Sequence, residues 1–359
     1  MHNQGTGHSR ALVVGVSGIV GANLADYLIS EGCEVYGLSR RPTLNNKEAR
    51  PVAVDLREAK QVRAALADIY PSHVFLTTWL RQATEAENCA VNGAMVRNVL
   101  TALRGHRVQH VALVTGLKHY LGPVEAQGRV AVPDTPFRED EPRLPVENFY
   151  YVQEDKVFAA AEEQGFTWSV HRPHTIIGYA LGNAMNIGVT LAVAAIICRE
   201  SGRPFIFPGS TTQWKSLKDM TDARLLALHL AWASTADNAK NEAFNVVNGD
   251  IFRWRRMWSR IAEYFGVEPV APSREPYPFE QQMADAAPIW EDIVHRYGLA
   301  ESDLDRLVSW WHTDGDLGRD IECVTDMSKS RDAGFLDYVH TDQAFFDLFE
   351  RLRAERIIP

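Results

Sequence analysis

The chain has 359 residues, and its 46 acidic residues outnumber its 37 lysines and arginines, which gives a formal net charge of −9. This acidic balance argues against nucleic acid as the main partner, because phosphate binding relies on clustered Lys and Arg. No uncharged apolar run reaches about 18 residues, so a membrane span is not expected. The four cysteines lie far apart and no His, Asp and Glu grouping has metal-ligand spacing, so neither a disulfide framework nor a metal site is predicted.

The N-terminal segment, residues 1–9, is polar and lacks the apolar core of a signal peptide. We expect it to form a disordered leader, and we expect the protein to be cytoplasmic. From residue 10 onward, short apolar runs alternate with helical patterns. Strands are predicted at 11–15, 34–38, 52–55, 73–77, 110–115 and 166–171, with helices at 20–30, 58–69 and 85–104. This alternation is typical of a doubly wound parallel sheet of the Rossmann type.

The alternation stops after about Gly178. A helix at 187–200, a strand at 205–207, a helix at 222–234 and a strand at 243–247 are predicted next, and the chain from Trp254 onward is mainly helical and rich in Trp, Tyr and Pro. We therefore predict an α/β protein with a smaller, mainly helical cap over a substrate cleft. The expected domains are a sheet domain at 10–180, with 216–250 partly returning to it, and a cap formed by 181–215 and 251–359.

A glycine-rich turn joins the first strand to the first helix. Gly15, Gly18 and Gly21 form the GxxGxxG pattern seen in short-chain dehydrogenases. Glycine lets the backbone approach a pyrophosphate, and the helix N-terminus offers free N–H groups. The pattern predicts dinucleotide binding, and a tight turn without a ligand is the alternative. The expected contacts from this turn are Gly15, Ser17, Gly18, Ile19 and Val20.

The second strand ends in Ser39, Arg40 and Arg41, where an NAD-binding protein usually has an acid for the ribose hydroxyl. Guanidinium groups pair with phosphate, so the 2′-phosphate of NADPH is favoured over a solvated basic loop. Asp55, followed by Leu56, is expected to accept from the adenine amino group; a helix N-cap is the alternative for Asp55.

The Tyr-x-x-x-Lys pair of short-chain dehydrogenases is missing. Tyr150 and Tyr151 lie where the tyrosine belongs, but the residues four positions later are Glu154 and Asp155, and Lys156 is out of register with both. A lysine does follow the fifth strand, at Lys118. Ligands bind at the carboxyl ends of parallel strands, so we predict that Lys118 replaces the displaced lysine beside Tyr150.

These motifs resemble the progesterone 5β-reductase and iridoid synthase family, atypical extended short-chain dehydrogenases that reduce activated C=C bonds with NADPH. The likeness extends over nearly all of residues 10–359. Besides the segments above, it rests on Thr78-Trp79, Glu85-Ala-Glu-Asn88, Thr115-Gly-Leu-Lys-His-Tyr-Leu-Gly-Pro123, Asn148-Phe-Tyr-Tyr151, Trp168-Ser-Val-His-Arg-Pro173, Lys240-Asn-Glu-Ala-Phe-Asn-Val-Val-Asn-Gly-Asp250 and Ile357-Ile-Pro359.

The resemblance implies that Tyr150 is the catalytic tyrosine and Lys118 its partner in reducing an enone or enal. Hydride adds to the β-carbon, Tyr150 donates to the carbonyl oxygen as the enolate forms, and Lys118 stabilises this arrangement. The other expected cofactor contacts are Thr78, Trp79, Thr115, Gly116, Tyr150, Pro173, Ile176 and Ile177. The expected pocket residues are Trp79, Tyr120, Val124 and Phe345, the last with a core position as its alternative.

Val124 departs from the family, which commonly has phenylalanine after Gly-Pro, so neither a steroid nor an iridoid precursor can be assumed as substrate. Two other functions stay open at this stage. One is a sugar-nucleotide epimerase, dehydratase or carbonyl reductase of the extended short-chain type, and the other is a non-catalytic NADP-binding redox sensor. A homodimer, common in this superfamily, also stays open.

Overall fold

The computed structural model describes residues 9–42, 44, 46–126, 128–183 and 185–359. The predicted leader therefore lies outside the described residues, apart from Ser9. The chain separates into two compact units. The first contains the chain up to Pro173 together with 226–246 and 326–336, and the second contains 174–225, 247–325 and 337–359. The sequence placed the first boundary after residue 180 and did not anticipate the return at 326–336.

The first unit is built on a seven-stranded sheet in which every paired strand is parallel to its neighbour. Its strands are β1 (Arg10–Val14), β2 (Glu34–Ser39), β3 (Arg50–Ala53), β4 (His73–Leu76), β5 (His110–Val114), β6 (Thr167–Pro173) and β10 (Glu242–Val246). Their order is β10-β6-β5-β4-β1-β2-β3. The order reverses between β1 and β4, and in such sheets ligands bind outside the carboxyl ends of the strands at that point.

The helices of the first unit connect these strands. They are α1 (Ile19–Ser30), α2 (Ala59–Leu66), α3 (Glu85–Ala102), α4 (Lys118–Leu121), α5 (Phe149–Gln164), most of α8 (Ala223–Thr235) and α13 (Ser328–Asp332), with short 3₁₀ helices at Val124–Ala126 and Asp237–Ala239. Apolar strand residues such as Leu12, Val74 and Val111 are fully buried, as expected for a sheet covered on both faces. Removing this apolar surface from water is the main source of stability for the unit.

The second unit is mainly helical. Its helices are α6 (Ile187–Glu200), α7 (Thr211–Lys215), α9 (Trp254–Phe265), α10 (Phe279–Gln282), α11 (Ala286–Tyr297), α12 (Trp310–Leu317) and α14 (Thr341–Ala354), with a 3₁₀ helix at Leu304–Arg306. Two short parallel pairs join β7 (Ile176–Ile177) to β9 (Thr221–Asp222) and β8 (Phe205–Ile206) to β11 (Pro269–Val270). Phe205 stacks on Trp258 with 3.9 Å between ring centroids, which places the predicted cap aromatics in the core.

Candidate active site

The glycine turn between β1 and α1 is closely packed against its neighbours. Gly15 has φ +95°, and a Cβ there would lie 2.7 Å from the Cβ of Thr78. A Cβ on Gly21 would lie 2.2 Å from the carbonyl oxygen of Gly15, so the helix packs too closely against the turn for a larger residue. Gly18 is the N-cap and provides no side-chain cap. The first N–H groups of α1 are thus not used by a capping side chain, which fits an anionic ligand.

The expected ribose-phosphate contacts come together at the end of β2. The hydroxyl groups of Ser17 and Ser39 are 3.0 Å apart, and the Ser17 hydroxyl donates to the carbonyl of Arg41 at 3.2 Å. Arg40 and Arg41 are exposed. Over the described ranges, no carboxylate forms an ion pair with either guanidinium. Two exposed guanidinium groups near the glycine turn suit a phosphate group.

Asp55 follows β3, and its carboxylate forms an ion pair with Arg57 at 2.6 Å. The Arg57 side chain lowers the pKa of Asp55 to about 2, and the charge of Arg40 contributes in the same direction. The N-cap of α2 is Glu58, so the cap role considered for Asp55 is wrong. Leu56 is buried. Asp55 is ionised at neutral pH, and its expected contact with adenine stays a prediction.

The side chains of Lys118 and Tyr150 both lie close to the buried ring of Phe149. The Lys118 Nζ is 5.0 Å from the ring centroid of Phe149 and 5.6 Å from that of Trp79. Phe149 stacks on Trp79 at 5.3 Å and contacts the ring of Tyr150 at 4.3 Å. An ammonium over aromatic faces is held by the ring quadrupoles. The structure therefore groups Trp79, Lys118 and Tyr150 at the carboxyl end of the sheet.

The phenol of Tyr150 lies against Gly116. A Cβ on Gly116 would be 3.3 Å from both the Tyr150 hydroxyl and the carbonyl oxygen of Pro173. Burial raises the pKa of Tyr150, and the carboxylate of Glu85 raises it further. The phenol consequently stays protonated at physiological pH. A protonated phenol can donate a hydrogen bond to an oxygen that becomes negatively charged.

Asn148 fixes the two catalytic candidates relative to each other, a role that the sequence did not reveal. Its Oδ1 accepts from the backbone N–H of Tyr150 at 3.0 Å, which caps α5. Its Nδ2 donates to the carbonyl of Lys118 at 2.7 Å. One side chain thus ties α4 to the first turn of α5. The sequence signal was an N-cap asparagine two positions before the tyrosine pair.

Thr115, which precedes Gly116, and Pro173, whose carbonyl faces Gly116, also lie near the phenol of Tyr150. The backbone N–H of Thr115 donates to the carbonyl of His171 at 2.8 Å, and its hydroxyl donates to the same oxygen at 3.3 Å. Ile176 and Ile177 belong to the second unit, where they form β7, and Ile177 is fully buried. The expected nicotinamide contacts of these two isoleucines stay predictions.

The predicted pocket residues have varied surroundings. Tyr120 has no exposed surface, stacks on Phe137 at 5.1 Å, and donates from its hydroxyl to Asn245 at 2.7 Å. This solvent-free position differs from that of a residue lining an open pocket. Phe345 is likewise fully buried, in the core of the second unit, which matches its alternative reading. The side chain of Val124 lies outside the described part of the structure.

Comparison with known proteins assigns the family. A profile described as the PRISE-like Rossmann-fold domain matches residues 52–359. The chain belongs to this PRISE-like family. The predicted family resemblance and the predicted fold class are thereby confirmed.

Two curated relatives align with this PRISE-like chain over most of its length. An (S)-8-oxocitronellyl enol synthase of Camptotheca acuminata is 40% identical over 98% of this chain and 93% of its own. A 3-oxo-Δ(4,5)-steroid 5β-reductase of Arabidopsis thaliana is 38% identical, with the same coverage of 98% and 93%. These relatives span both sheet and helical units.

Solved structures extend the likeness at the level of the fold. The UDP-glucose 4-epimerase of Thermotoga maritima has a TM-score of 0.68 at 15% identity, covering 96% of this chain and 99% of that one. The UDP-glucose 4-epimerase of Thermus thermophilus, solved with NAD, has a TM-score of 0.65 at 18% identity, covering 96% and 99%. The described residues contain no helix long and apolar enough to cross a membrane, and no group of three or more potential metal ligands.

Proposed function

We propose that this protein reduces the activated C=C bond of enones or enals, with NADPH as hydride donor. The observation that carries the proposal is the arrangement of Lys118 and Tyr150 around Phe149 at the carboxyl end of β5. Homology supports it, because two relatives covering almost the whole chain are named as a steroid 5β-reductase and an oxocitronellyl enol synthase.

The residues of the first unit fit NADPH. The uncapped N-terminus of α1 would hold the pyrophosphate, and Arg40 and Arg41 would hold the 2′-phosphate. Ser17 steadies the segment that carries the arginines through its bonds to Ser39 and Arg41. When bound, NADPH supplies the hydride. The preference for the phosphorylated cofactor follows from the paired arginines and the lack of an acid at the end of β2.

Tyr150 donates a hydrogen bond to the carbonyl oxygen of the substrate. Negative charge accumulates on that oxygen when hydride adds to the β-carbon, so the bond strengthens as the reaction proceeds. The raised pKa of the phenol suits this role, because the group remains a donor throughout. The enolate is then protonated at its α-carbon.

Lys118 provides positive charge near the same oxygen. Its ammonium is oriented by the faces of Trp79 and Phe149, and its backbone is held by Asn148. A fixed cation in a partly buried site stabilises a developing anion more than a solvated one does. In this proposal Lys118 also holds the cofactor ribose. We propose small cyclic and acyclic enones as substrates, because Val124 replaces the phenylalanine common in the family.

Mixing the protein with NADPH and 2-cyclohexen-1-one, and following the nicotinamide absorbance, tests the proposal. We expect oxidation of NADPH with formation of cyclohexanone, and a loss of about 100-fold or more in kcat for Tyr150→Phe. Turnover of a UDP-sugar without net NADPH consumption would favour an epimerase instead. Absence of turnover with a panel of enones and enals, despite tight NADPH binding, would favour a redox sensor.

A further inference from the structure

Helix α3 presents three buried polar side chains towards the candidate active site. Glu85, Asn88 and Asn92 are 7%, 6% and 0% exposed, and we call them the α3 polar ridge. Glu85 and Asn88 belong to a motif that the mechanism above leaves without a role. Buried polar groups of this kind cost free energy unless they are hydrogen-bonded, so their partners indicate what they do.

The two asparagines hold the segment that follows β4. Asn92 accepts from the backbone N–H of Leu80 at 2.7 Å and donates to its carbonyl at 3.0 Å. Asn88 accepts from the backbone N–H of Gln82 at 2.8 Å. This segment begins with Trp79, whose ring lies under the Lys118 ammonium. The ridge thereby fixes one wall of the aromatic group.

Glu85 reaches across to α5. Its Oε1 accepts from the backbone N–H of Phe149 at 2.8 Å, and its Oε2 accepts from Asn88 at 3.0 Å. Phe149 is the first residue of α5, so this bond satisfies an N–H group that has no partner within the helix. A carboxylate at this end also interacts favourably with the helix dipole.

The N-terminus of α3 is already capped without Glu85. Thr84 accepts from the backbone N–H of Glu87, and the Glu87 carboxylate accepts from the N–H of Thr84. Glu85 is therefore not needed for this cap.

Helices α3 and α5 are also in close contact further along α3, because a Cβ on Gly93 would lie 2.7 Å from the side chain of Val152. Movement at Glu85 would be transmitted to the first turn of α5.

We propose that Glu85 is a positioning residue for the reaction: its buried carboxylate holds the first turn of α5 and, with it, the phenol of Tyr150. The inference rests on the proposed function of Tyr150. Asn148 binds the backbone N–H of Tyr150 and Glu85 binds that of Phe149, so the turn is held at two successive residues. Loss of either bond would let the hydroxyl drift from its place beside Gly116.

The charge of Glu85 has a second effect. It raises the pKa of Tyr150 beyond the increase caused by burial. Other groups near this end of α5 are Cys89 on α3, Lys118 on α4, and Glu147 ahead of α5. Burial raises the pKa of Cys89 to about 11, with Glu85 and Glu147 adding to the shift and Lys118 opposing it, so the thiol is neutral. On another part of α5, Glu154 is surrounded by His119, Arg143 and Arg172.

Three variants distinguish the effect of the hydrogen bonds made by Glu85 from the effect of its charge. Glu85→Ala removes both hydrogen bonds, and we expect kcat for 2-cyclohexen-1-one to fall about 10- to 100-fold. The NADPH dissociation constant, measured by fluorescence, should change less than about twofold, since the glycine turn is untouched. Glu85→Gln keeps an oxygen that accepts from the backbone N–H of Phe149 and should restore most of kcat.

Glu87→Gln is the matched control, because it removes the same charge two positions away in the same helix turn, and glutamine also serves in a capping box. We expect its kcat to match the wild type. The positioning role is overturned if Glu85→Ala lowers only the melting temperature, or if Glu85→Gln loses as much kcat as Glu85→Ala. If Glu85→Ala does not fold, Glu85→Asp, whose shorter side chain reaches less far towards Phe149, replaces it in the kinetic comparison. Full activity of Tyr150→Phe would instead overturn the proposed function.

Discussion

Tyr150 and Tyr151 are adjacent in sequence, but their phenol groups have different partners. The Tyr151 hydroxyl donates to the carbonyl of His119 at 2.6 Å and accepts from the backbone N–H of Leu144 at 3.0 Å. No described residue hydrogen-bonds to the Tyr150 hydroxyl, which lies beside Gly116. One tyrosine is thus committed to the backbone, and the other can serve a substrate.

This difference predicts opposite effects for the same substitution. Tyr151→Phe should lower the free energy of unfolding by about 1–2 kcal/mol, because it leaves a buried carbonyl and N–H without their partner. Its kcat should stay within about twofold of the wild type, since the reacting groups are unchanged. Tyr150→Phe should abolish turnover with little loss of stability. Urea denaturation and steady-state kinetics on both variants provide the comparison, and equal kinetic losses would contradict it.

Gly116→Ala tests the close approach of the backbone to the phenol. The added methyl would lie 3.3 Å from the Tyr150 hydroxyl and equally close to the Pro173 carbonyl, so one of them must move. We expect kcat to fall by about 10-fold or more, because small misplacements of a catalytic group are costly. Gly165→Ala is the control: it also has positive φ, but its Cβ would meet nothing within 4 Å. That variant should lose stability and keep its kcat.

Arg40→Ala combined with Arg41→Ala tests the cofactor assignment. We expect the affinity for NADPH to fall by about 10- to 100-fold and that for NADH to change little, because only NADPH carries the 2′-phosphate. Fluorescence titration with both cofactors measures this. Arg104→Ala is a matched loss of positive charge, since Arg104 is paired with Glu163 at 2.7 Å on the surface. Similar losses for the two cofactors would refute the assignment.

Stability should depend on pH through a buried histidine chain in the first unit. His110 and His229 have pKa values lowered to about 3 by burial, and burial lowers that of His171 well below its usual range. Below pH 6.5 the unfolded chain binds protons that these folded side chains do not. Stability is therefore complete above that pH and is lost as pH falls. The three histidines belong to one series of hydrogen-bonded side chains, which runs through Thr167, His110, Ser169, His171, His229 and Ser330.

Urea denaturation at several pH values measures this loss. From pH 7.5 to 5.5, we expect each of these histidines to remove about 1 kcal/mol from the free energy of unfolding. His229→Gln should show a shallower dependence on pH than the wild type, whatever its absolute stability. His340→Gln, which alters an exposed histidine, should leave the slope unchanged. A wild-type stability that is flat across this range would exclude the linkage.

The sheet and the glycine turn could be predicted because their signals are local. Apolar runs followed by Gly15, Gly18 and Gly21 indicate a strand, a turn and a helix within 20 residues or so. The second return to the first unit, at 326–336, carries no such signal. It is held by contacts such as that of Ser330 with His229, whose hydroxyl and ring nitrogen are 3.0 Å apart.

The site residues also differ in whether their surroundings depend on nearby sequence or on distant contacts. Lys118 was identified by its place after a strand; its ammonium and the ring of Tyr150 both lie close to Phe149, and its catalytic role stays a prediction. Tyr120 lies two positions after Lys118 on the same four-residue helix and has no exposed surface, and its expected place in the pocket stays a prediction. Glu85 resembled an ordinary acid at a helix start, and its partner is 64 positions away.

The return at 326–336 has a consequence for biosynthesis. The edge strand β10 pairs with β6, and α13, which packs against β10, is translated only after most of the helical unit has left the ribosome. The sheet unit therefore cannot finish folding as an early, autonomous nascent domain. Expression of a fragment ending at Pro173 would leave β6 as an open sheet edge, with His171 deprived of its neighbour and an aggregation-prone strand facing water.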